Sequence, residues 1–396
     1  MPAPYLLDLS HTSHTRARTG IQRVARGLAT ALGPDGFAIT HDPYAGRWRP
    51  LQNWERANLA ATTPSPGRGT RWPWSAQLRG QSRRLLGKNT TLPPAKGLIV
   101  PEIFSPAVAS ELPGLFTSVT GPRIALFHDA LALQFPELTP AKTVTRFPSY
   151  LVELLAFDGI AAVSDDSRDV LQEYWSWLGA QHPPPVQTIP LAIDPAPRLP
   201  DSNPRADADP VILSVGSLEG RKNHSALLDA CETLWERGHR FSLHLIGMAH
   251  PQTGRVARER IRALQGSGRP LRYDGPVDDE ALEAAYAECA FTVYPSLREG
   301  FGLPVLESVA RGKPCICSEA GALGEAARDG GCLVLTQVEA PEIAEAMGRL
   351  LNEPATVVAL AADARKRRFR SWKTYAKELK TWMQGLDRRD TPIGAA

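Results

Sequence analysis

The chain reads as an α/β protein built from two doubly wound parallel sheets. Length is the first reason: 396 residues suit two domains, each large enough to bury its own core. Rhythm is the second. Between residues 211 and 352, short apolar runs alternate with helical stretches, the pattern of a parallel sheet flanked by helices. The third is a break. Residues 182–210 hold His182-Pro-Pro-Pro185 and further prolines around Ile189-Pro-Leu-Ala-Ile-Asp194, a composition that separates domains. The expected domains are therefore 1–195 and 196–370, with a terminal helix inside 371–396.

In the first half, Tyr5-Leu-Leu-Asp-Leu9 reads as a strand. A loop rich in Ser, His and Arg leads to a helix from about Ile21 to Leu32. Residues 61–95 suit no regular element, because Pro64, Pro66, Gly67, Gly69, Pro73, Pro93 and Pro94 interrupt them. They read as a surface insertion carrying a short basic helix around Ser75–Leu86. Ile124–Phe127 is a strand ending at His128-Asp129. Ile160–Val163 is another, followed by Ser164 and a helix from near Asp166. In the second half, strands are expected at 211–215, 242–246, 290–294, 314–318 and 332–335. Helices are expected at 224–237, 255–265, 279–288, 303–311 and 339–352. Ser371 through Met383 reads as a last helix.

Composition excludes several classes. A hydrophobic fraction of 43% with 22% charged residues describes a soluble globular chain. The net charge, 45 − 42 = +3, is too small to argue for nucleic acid. Five cysteines, an odd number without paired CxxC motifs, argue against a disulfide framework or a structural metal. They read as small buried hydrophobes in a reducing cytoplasm. Cys315 and Cys317 share a strand face, which is no metal site by itself. No run approaches the ~20 apolar residues of a membrane span. Met1-Pro-Ala-Pro4 lacks the basic start and apolar core of a signal peptide.

The chemistry concentrates in Pro295-Ser-Leu-Arg-Glu-Gly-Phe-Gly-Leu-Pro-Val-Leu-Glu307. It follows the apolar run Ala290–Tyr294. Pro304 suits a first helical turn, since its missing N–H is not needed there. Glu299 then lies in the loop and Glu307 about one turn into the helix. Free N–H groups at such a helix start attract anions. Two carboxylates beside them suit a phosphate attached to sugars, whose hydroxyls donate to carboxylates. The ligand suggested is a nucleotide sugar. Gly and Pro at a strand–helix joint are also ordinary α/β punctuation, so the pattern alone leaves both readings open.

Glu299 and Glu307, with Gly-Phe-Gly-Leu-Pro between them, resemble the E-x7-E signature of retaining glycosyltransferases of family 4. Val215-Gly-Ser-Leu-Glu-Gly-Arg-Lys-Asn-His224, Thr19-Gly-Ile-Gln-Arg-Val24 and Phe127-His-Asp129 are similar to further segments of that family, in its usual order. The resemblance implies a GT-B fold, two Rossmann-like domains facing each other across a cleft, with the last helix crossing back to the N-terminal domain. It is specific to the family and not to a donor or acceptor.

It also implies roles. Arg221 and Lys222 hold the donor diphosphate, beside Gly216 and Ser217. Glu307 accepts hydrogen bonds from the donor ribose, and Glu299 holds hydroxyls of the transferred sugar. Gly300, Phe301, Gly302 and Leu303 line the sugar-phosphate end, the last three through backbone N–H groups. Gly20 lets backbone approach the diphosphate. His128 lies near the donor sugar, and Asp129 orients it or the acceptor. Arg23 is an acceptor or phosphate contact. Asn223 and His224 read as helix-capping and supporting residues. Many family members carry Arg where this chain has Ser217, so one cationic contact is absent or replaced.

No nucleophile is evident. The family is described as retaining configuration by front-face substitution, which rests on positioning and on stabilising the leaving group. No DxD motif stands in a metal-binding context. Asp165-Asp166 and Asp278-Asp279 read as helix N-terminal acids. The expectation is a cytoplasmic, metal-independent transferase without cofactor. It takes a hexose, mannose from GDP-mannose first, to an oligosaccharide acceptor, a lipid-linked one in polysaccharide synthesis. Rhamnose from dTDP or GDP and UDP-sugars are alternatives, as is a catalytically silent nucleotide-sugar-binding scaffold. Epimerase or phosphorylase chemistry is a third class. Arg16, Arg18, Arg23, Arg26, Arg68, Arg71, Arg79, Arg83, Arg84 and Lys88, with Trp72 and Trp74, suggest peripheral contact with an anionic membrane. Solvated, scattered arginines are the competing reading.

Overall fold

The computed structural model describes residues 3–61, 69–87, 91–193 and 209–389. The linker prolines within 194–208, and Pro64, Pro66, Gly67, Arg68 and Lys88 of the insertion, lie outside the described residues. The chain divides into two compact units. One comprises 1–128, 146–192 and 370–396; the other comprises 129–145 and 193–369. The expected single boundary near 195 does not place 129–145 with the second unit, because a segment's partner is set by packing and not by chain order.

Among the described residues, the first unit holds seven strands. They are β1 (Tyr5–Asp8), β2 (Gly36–Asp42), β3 (Arg47–Pro50), β4 (Gly97–Val100), β5 (Arg123–Phe127), β6 (Gly159–Ala162) and β7 (Val186–Thr188). Their order is β3-β2-β1-β4-β5-β6-β7. Only the β2–β3 pair is antiparallel. Every residue of β1, β4 and β5 is buried, as expected of parallel strands covered on both faces.

Polar sequence concealed β2 and β3. Their contact is charged: Arg49 donates from Nε to Asp42 at 2.7 Å and from Nη1 and Nη2 to Glu55, each at 2.8 Å. Arg49 is only 1% exposed, so the bidentate carboxylate and the second acid offset its desolvation.

The insertion carries the helix Trp74–Leu85, close to the expected span. Ala76 and Gly80 form its buried face. A Cβ on Gly80 would lie 2.6 Å from Tyr44 Cβ, so only a bare backbone fits there. Trp72, expected at a membrane surface, instead packs against His14, Tyr44 and Trp54, with ring centroids 4.2, 5.3 and 5.4 Å away. Arg26 also leaves the expected basic surface. Its guanidinium donates to the carbonyls of Thr15 and Ala17, each at 2.9 Å.

Among the described residues, the second unit has six strands: β8 (Val211–Val215), β9 (Ser242–Ile246), β10 (Leu271–Asp274), β11 (Phe291–Tyr294), β12 (Cys315–Ser318) and β13 (Cys332–Leu335). All pair in parallel, in the order β10-β9-β8-β11-β12-β13. Alternation sorts the core into two layers. Phe291, Val293 and Ile316 join Leu227, Leu234 and Met347 on one side. Tyr294, Cys315 and Cys317 join Val305, Leu306 and Val309 on the other.

The last helix, Trp372–Gln384, belongs to the first unit. It packs on the helix Gly20–Leu32, where a Cβ on Gly27 would lie 2.3 Å from Trp372 Cε2. Lys380 pairs with Asp35 at 2.5 Å. Gly27→Leu should therefore raise amide exchange across Trp372–Gln384 and destabilise the first unit by roughly 1–3 kcal/mol, the usual cost of overpacking. Hydrogen exchange read by mass spectrometry checks this, with the second unit as the internal reference.

Candidate active site

The order of the second sheet reverses direction between β8 and β11. β8 runs to β9 and β10 on one side, while β11 runs to β12 and β13 on the other. Ligands of open parallel sheets bind at such a switch point, beyond the carboxyl ends of the strands. Two loops leave the sheet there, Gly216–Asn223 after β8 and Pro295–Gly302 after β11. Leu297 N–H donates to the Arg221 carbonyl at 2.9 Å and ties them together.

Backbone chemistry shapes both loops. Gly216 runs so close to the following loop that a Cβ on Gly247 would lie 1.9 Å from the Gly216 carbonyl oxygen. Asn223 adopts the left-handed conformation, φ 55°, which Asn tolerates better than most residues. It occupies the N-cap of the helix His224–Glu236 without a side-chain capping bond. Its amide donates instead to the Val338 carbonyl at 2.6 Å, a correction to the expected capping role. Gly302, at φ 86°, is the N-cap of the helix Leu303–Ala310, with Pro304 in its first turn. That geometry requires glycine.

The cationic pair and the first carboxylate meet here. Glu299 accepts from Lys222 Nζ at 2.5 Å and from Arg221 Nη1 at 2.8 Å. Burial pushes the Glu299 carboxyl up, but Lys222, Arg221 and a hydrogen bond from Ser296 outweigh it and hold the pKa at about 2. Arg221 shows the converse. Burial pulls it down, yet Glu299, Glu219 and Asp129 raise it above its ordinary value. The site therefore keeps both partners ionised.

Two participants escaped sequence reasoning. Glu219 lies 3.3 Å from Arg221 and accepts from the Ser217 hydroxyl at 2.8 Å. Ser217 thus supports the acid that holds Arg221, in the position where an arginine was expected. Ser296 is 3% exposed and bonds to Glu299. Both stood inside quoted motifs, but a serine or a single acid carries no spacing signal of its own.

Glu307 is 2% exposed, one turn into its helix as expected. The hydroxyls of Tyr286 and Tyr294 lie 3.0 Å apart, and Glu307 contributes to raising both phenols, after burial, the largest cause. Arg311 donates to the Glu307 carbonyl at 2.9 Å. His224 is buried behind the cations. Burial, and then Lys222, lower its pKa to about 4, so it is neutral at pH 7.

In the first unit, His128 Nε2 donates to the Pro101 carbonyl at 2.7 Å, and its own carbonyl accepts from Ser167 Oγ at 2.9 Å. The ring is oriented by backbone. Gly20 opens the helix Gly20–Leu32, whose start is closed by a Thr19–Gln22 capping box. Arg23 lies in the first turn of that helix. Asp129, in the second unit, accepts from Leu131 N–H at 3.1 Å.

Residues 196–367 match the family model for glycosyl transferases group 1. The second unit is thus similar to a group 1 glycosyl transferase domain. The match covers both loops of the site, so Glu219, Arg221, Lys222, Glu299 and Glu307 all lie within the matched residues. The serotype-specific mannosyltransferase WbdA of Escherichia coli is 27% identical over 351 residues, which is 82% of this chain and 40% of WbdA. The O-antigen chain mannosyltransferase B of Escherichia coli is 32% identical over 223 residues, 52% of this chain and 56% of that protein. The chain thus spans about 40% of WbdA's length. A sucrose-phosphate synthase from Thermosynechococcus elongatus superposes with a TM-score of 0.67 at 19% identity, covering 96% of this chain and 98% of its own. That likeness establishes the GT-B fold.

Metal ligands are a separate matter. Asp165 and Asp166 open the helix Asp165–Trp177, and Asp278 caps the helix Asp279–Glu288 through Ala281 N–H at 2.9 Å. Both pairs are the helix acids the sequence suggested. The cysteines differ from expectation. Cys332 of β13 pairs with Cys315 of β12 and brings a third thiol to Cys315 and Cys317, all within 4.8 Å. Three thiols could hold one soft ion. Among the described residues no His, Asp or Glu completes the four ligands of a structural zinc site.

The carboxylate makes a pH prediction. The Glu299 pKa is depressed from 4.5 to about 2. Its contribution to stability is therefore full above the unfolded value and is lost as pH falls through the folded one. Wild type should exceed Glu299→Gln by about 3 kcal/mol at neutral pH, with the gap closing between about pH 4.5 and pH 2. Denaturant titrations at pH 7 and near pH 2 measure it; a gap independent of pH contradicts the ion cluster.

Proposed function

We propose that this chain is a retaining, metal-independent glycosyltransferase acting on a nucleotide sugar. One observation carries the reading: Glu299 holds Arg221 and Lys222 at the sheet's switch point, in front of the helix that carries Glu307. The donor diphosphate binds the two cations and the N-terminus of that helix. Glu307 accepts the ribose hydroxyls and Glu299 the hydroxyls of the sugar. Gly20, Gly216 and Ser217, with the backbone of Gly300–Leu303, border the diphosphate. His128 stands near the sugar, and Arg23 and Asp129 near the acceptor.

The departing diphosphate takes the proton of the acceptor hydroxyl as the new glycosidic bond forms on the same face. Arg221 and Lys222 stabilise the leaving charge where a divalent ion otherwise acts. Mannose from GDP-mannose is the first choice of donor, supported by the mannosyltransferase names of the relatives. The acceptor is an oligosaccharide, lipid-linked, of a bacterial surface polysaccharide, met in the cytoplasm.

Turnover of a panel of GDP-, UDP- and dTDP-sugars with oligosaccharide acceptors tests this. Donor binding in calorimetry without turnover of any pair would favour a silent scaffold. Glu307→Ala should weaken donor binding by roughly 1.5–3 kcal/mol for each charge-assisted hydrogen bond lost. Glu299→Ala should lower kcat more than it weakens nucleotide binding. Unchanged kinetics in both variants sinks the assignment.

EDTA should leave the rate essentially intact, because the cationic side chains already balance the diphosphate. An absolute requirement for Mg²⁺ or Mn²⁺ contradicts it.

A further inference from the structure

Three of the chain's five cysteines meet at one edge of the second sheet. Cys315 and Cys317 stand two apart on β12 and so share a face. The parallel register sets Cys332 of β13 opposite Cys315, on that same face. Gly330 and Gly331, both left-handed, make the turn that delivers Cys332 to its strand. The three sulfurs lie within 4.8 Å of one another, and none is joined in a disulfide. Three sulfurs around one ion at about 2.3 Å stand about 4 Å apart in a trigonal plane, so small side-chain rotations close the set. Cys315 and Cys317 are fully buried, in the layer of Val305, Val309 and Leu323. Cys332 is partly exposed on the last strand of the sheet, which leaves an entry path. A buried cation stands beside them. The Arg367 side chain is 6% exposed, and its Nε is buried without a hydrogen-bond partner. The neighbouring sulfurs and burial weigh most on Cys317 and Cys332, and the Arg367 charge acts on both in favour of the thiolate. Such a guanidinium suits a sulfur cluster that becomes anionic when its protons leave.

We propose that Cys315, Cys317 and Cys332 form a binding site for a soft monovalent cation, copper(I), held by three sulfurs. Thiolates favour copper(I), zinc and iron–sulfur clusters. A structural zinc takes four ligands and an iron–sulfur cluster four cysteines, and no fourth such group joins the set among the described residues. Three sulfurs complete the shell of copper(I). On binding, each sulfur loses its proton to solvent and forms one bond to the ion; copper stays monovalent and no electron moves. Arg367 offsets part of the negative charge that three thiolates and one monovalent cation leave behind. The sulfurs share a core layer with Val305 and Val309 and lie outside the loops that carry Arg221 and Lys222. The inference is therefore independent of the proposed reaction.

The test is an anaerobic titration of the full chain with copper(I) against a chromophoric copper(I) chelator, with neither donor nor acceptor present. Wild type should take up one ion per chain, with a thiolate-to-copper absorption band and a shell of three sulfurs in X-ray absorption at the copper edge. The bound ion should also raise the thermal midpoint. Cys332→Ala, at the exposed corner of the set, should keep wild-type circular dichroism and lose about a hundredfold or more in affinity. Cys231→Ala, in the opposite core layer, should bind the ion as wild type does. Equal uptake by wild type and Cys332→Ala means adventitious copper and overturns the proposal. So does no uptake in competition with the chelator, or a copper shell in which nitrogen or oxygen replaces the third sulfur. Zinc bound more tightly than copper(I) overturns it as well.

Discussion

The ion cluster of Glu299, Lys222 and Arg221 is the contact on which the second unit's site depends. It joins two loops that leave the sheet on opposite sides of its switch point. A carboxylate as deeply placed as Glu299, 9% exposed, is tolerated only with its charge matched and its oxygens occupied. Lys222, Arg221 and Ser296 supply that match. Glu219 adds a second acid on Arg221, so two cations face two carboxylates. The arrangement holds the guanidinium and ammonium groups in place before any ligand arrives. On the proposed function, an incoming diphosphate exchanges one set of anionic oxygens for another, with little reorganisation of the protein.

Supporting residues follow from this requirement. The left-handed turn at Asn223 brings Lys222 and the start of the next helix to one side of the sheet. Its side chain is spent on anchoring that turn to Val338. His224 stays neutral because burial, and then the neighbouring charge of Lys222, disfavour its protonation. The left-handed Gly302 performs the equivalent turn for the other loop. Both loops are thus sharp, short and tied to each other, and the precision of the site comes from backbone geometry as much as from charge.

The first unit uses the same device for a different end. Arg49 gathers Asp42 and Glu55 in a nearly dry interior, and His14 reaches Glu55 at 2.9 Å. These contacts knit the loop after β1 to the β2–β3 pair and to the short helix Asn53–Ala60. Trp72 seals the cluster from outside, with Arg49 over its ring at 5.6 Å. A polar stretch of sequence is thereby folded into core, while the apolar residues of the neighbouring helix remain on the surface. Hydrophobic pattern alone would have assigned the two the other way round.

By itself the sequence determined most of the alternation of the second unit; the edge strand β10, in which only Leu271 is buried, lay outside the expected runs. Its central strands are buried on both faces, so they are written as mostly apolar runs. Glycine's access to left-handed backbone and proline's fixed φ mark where they end. The same signals located both loops and the positions of Glu299 and Glu307 relative to the helix Leu303–Ala310. Tertiary structure decided what those residues touch. Glu299 meets Arg221 and Lys222 from 78 and 77 positions away. Cys332 reaches Cys315 only because β13 pairs with β12. Ser217 and Glu219 acquire meaning once Arg221 turns toward them. The strands β2 and β3 were hidden because their burial is paid in ion pairs, which have no periodicity. Local propensity and hydrophobic spacing act over a few residues; charge pairing and strand order act across the chain, and only the folded topology brings those partners within reach.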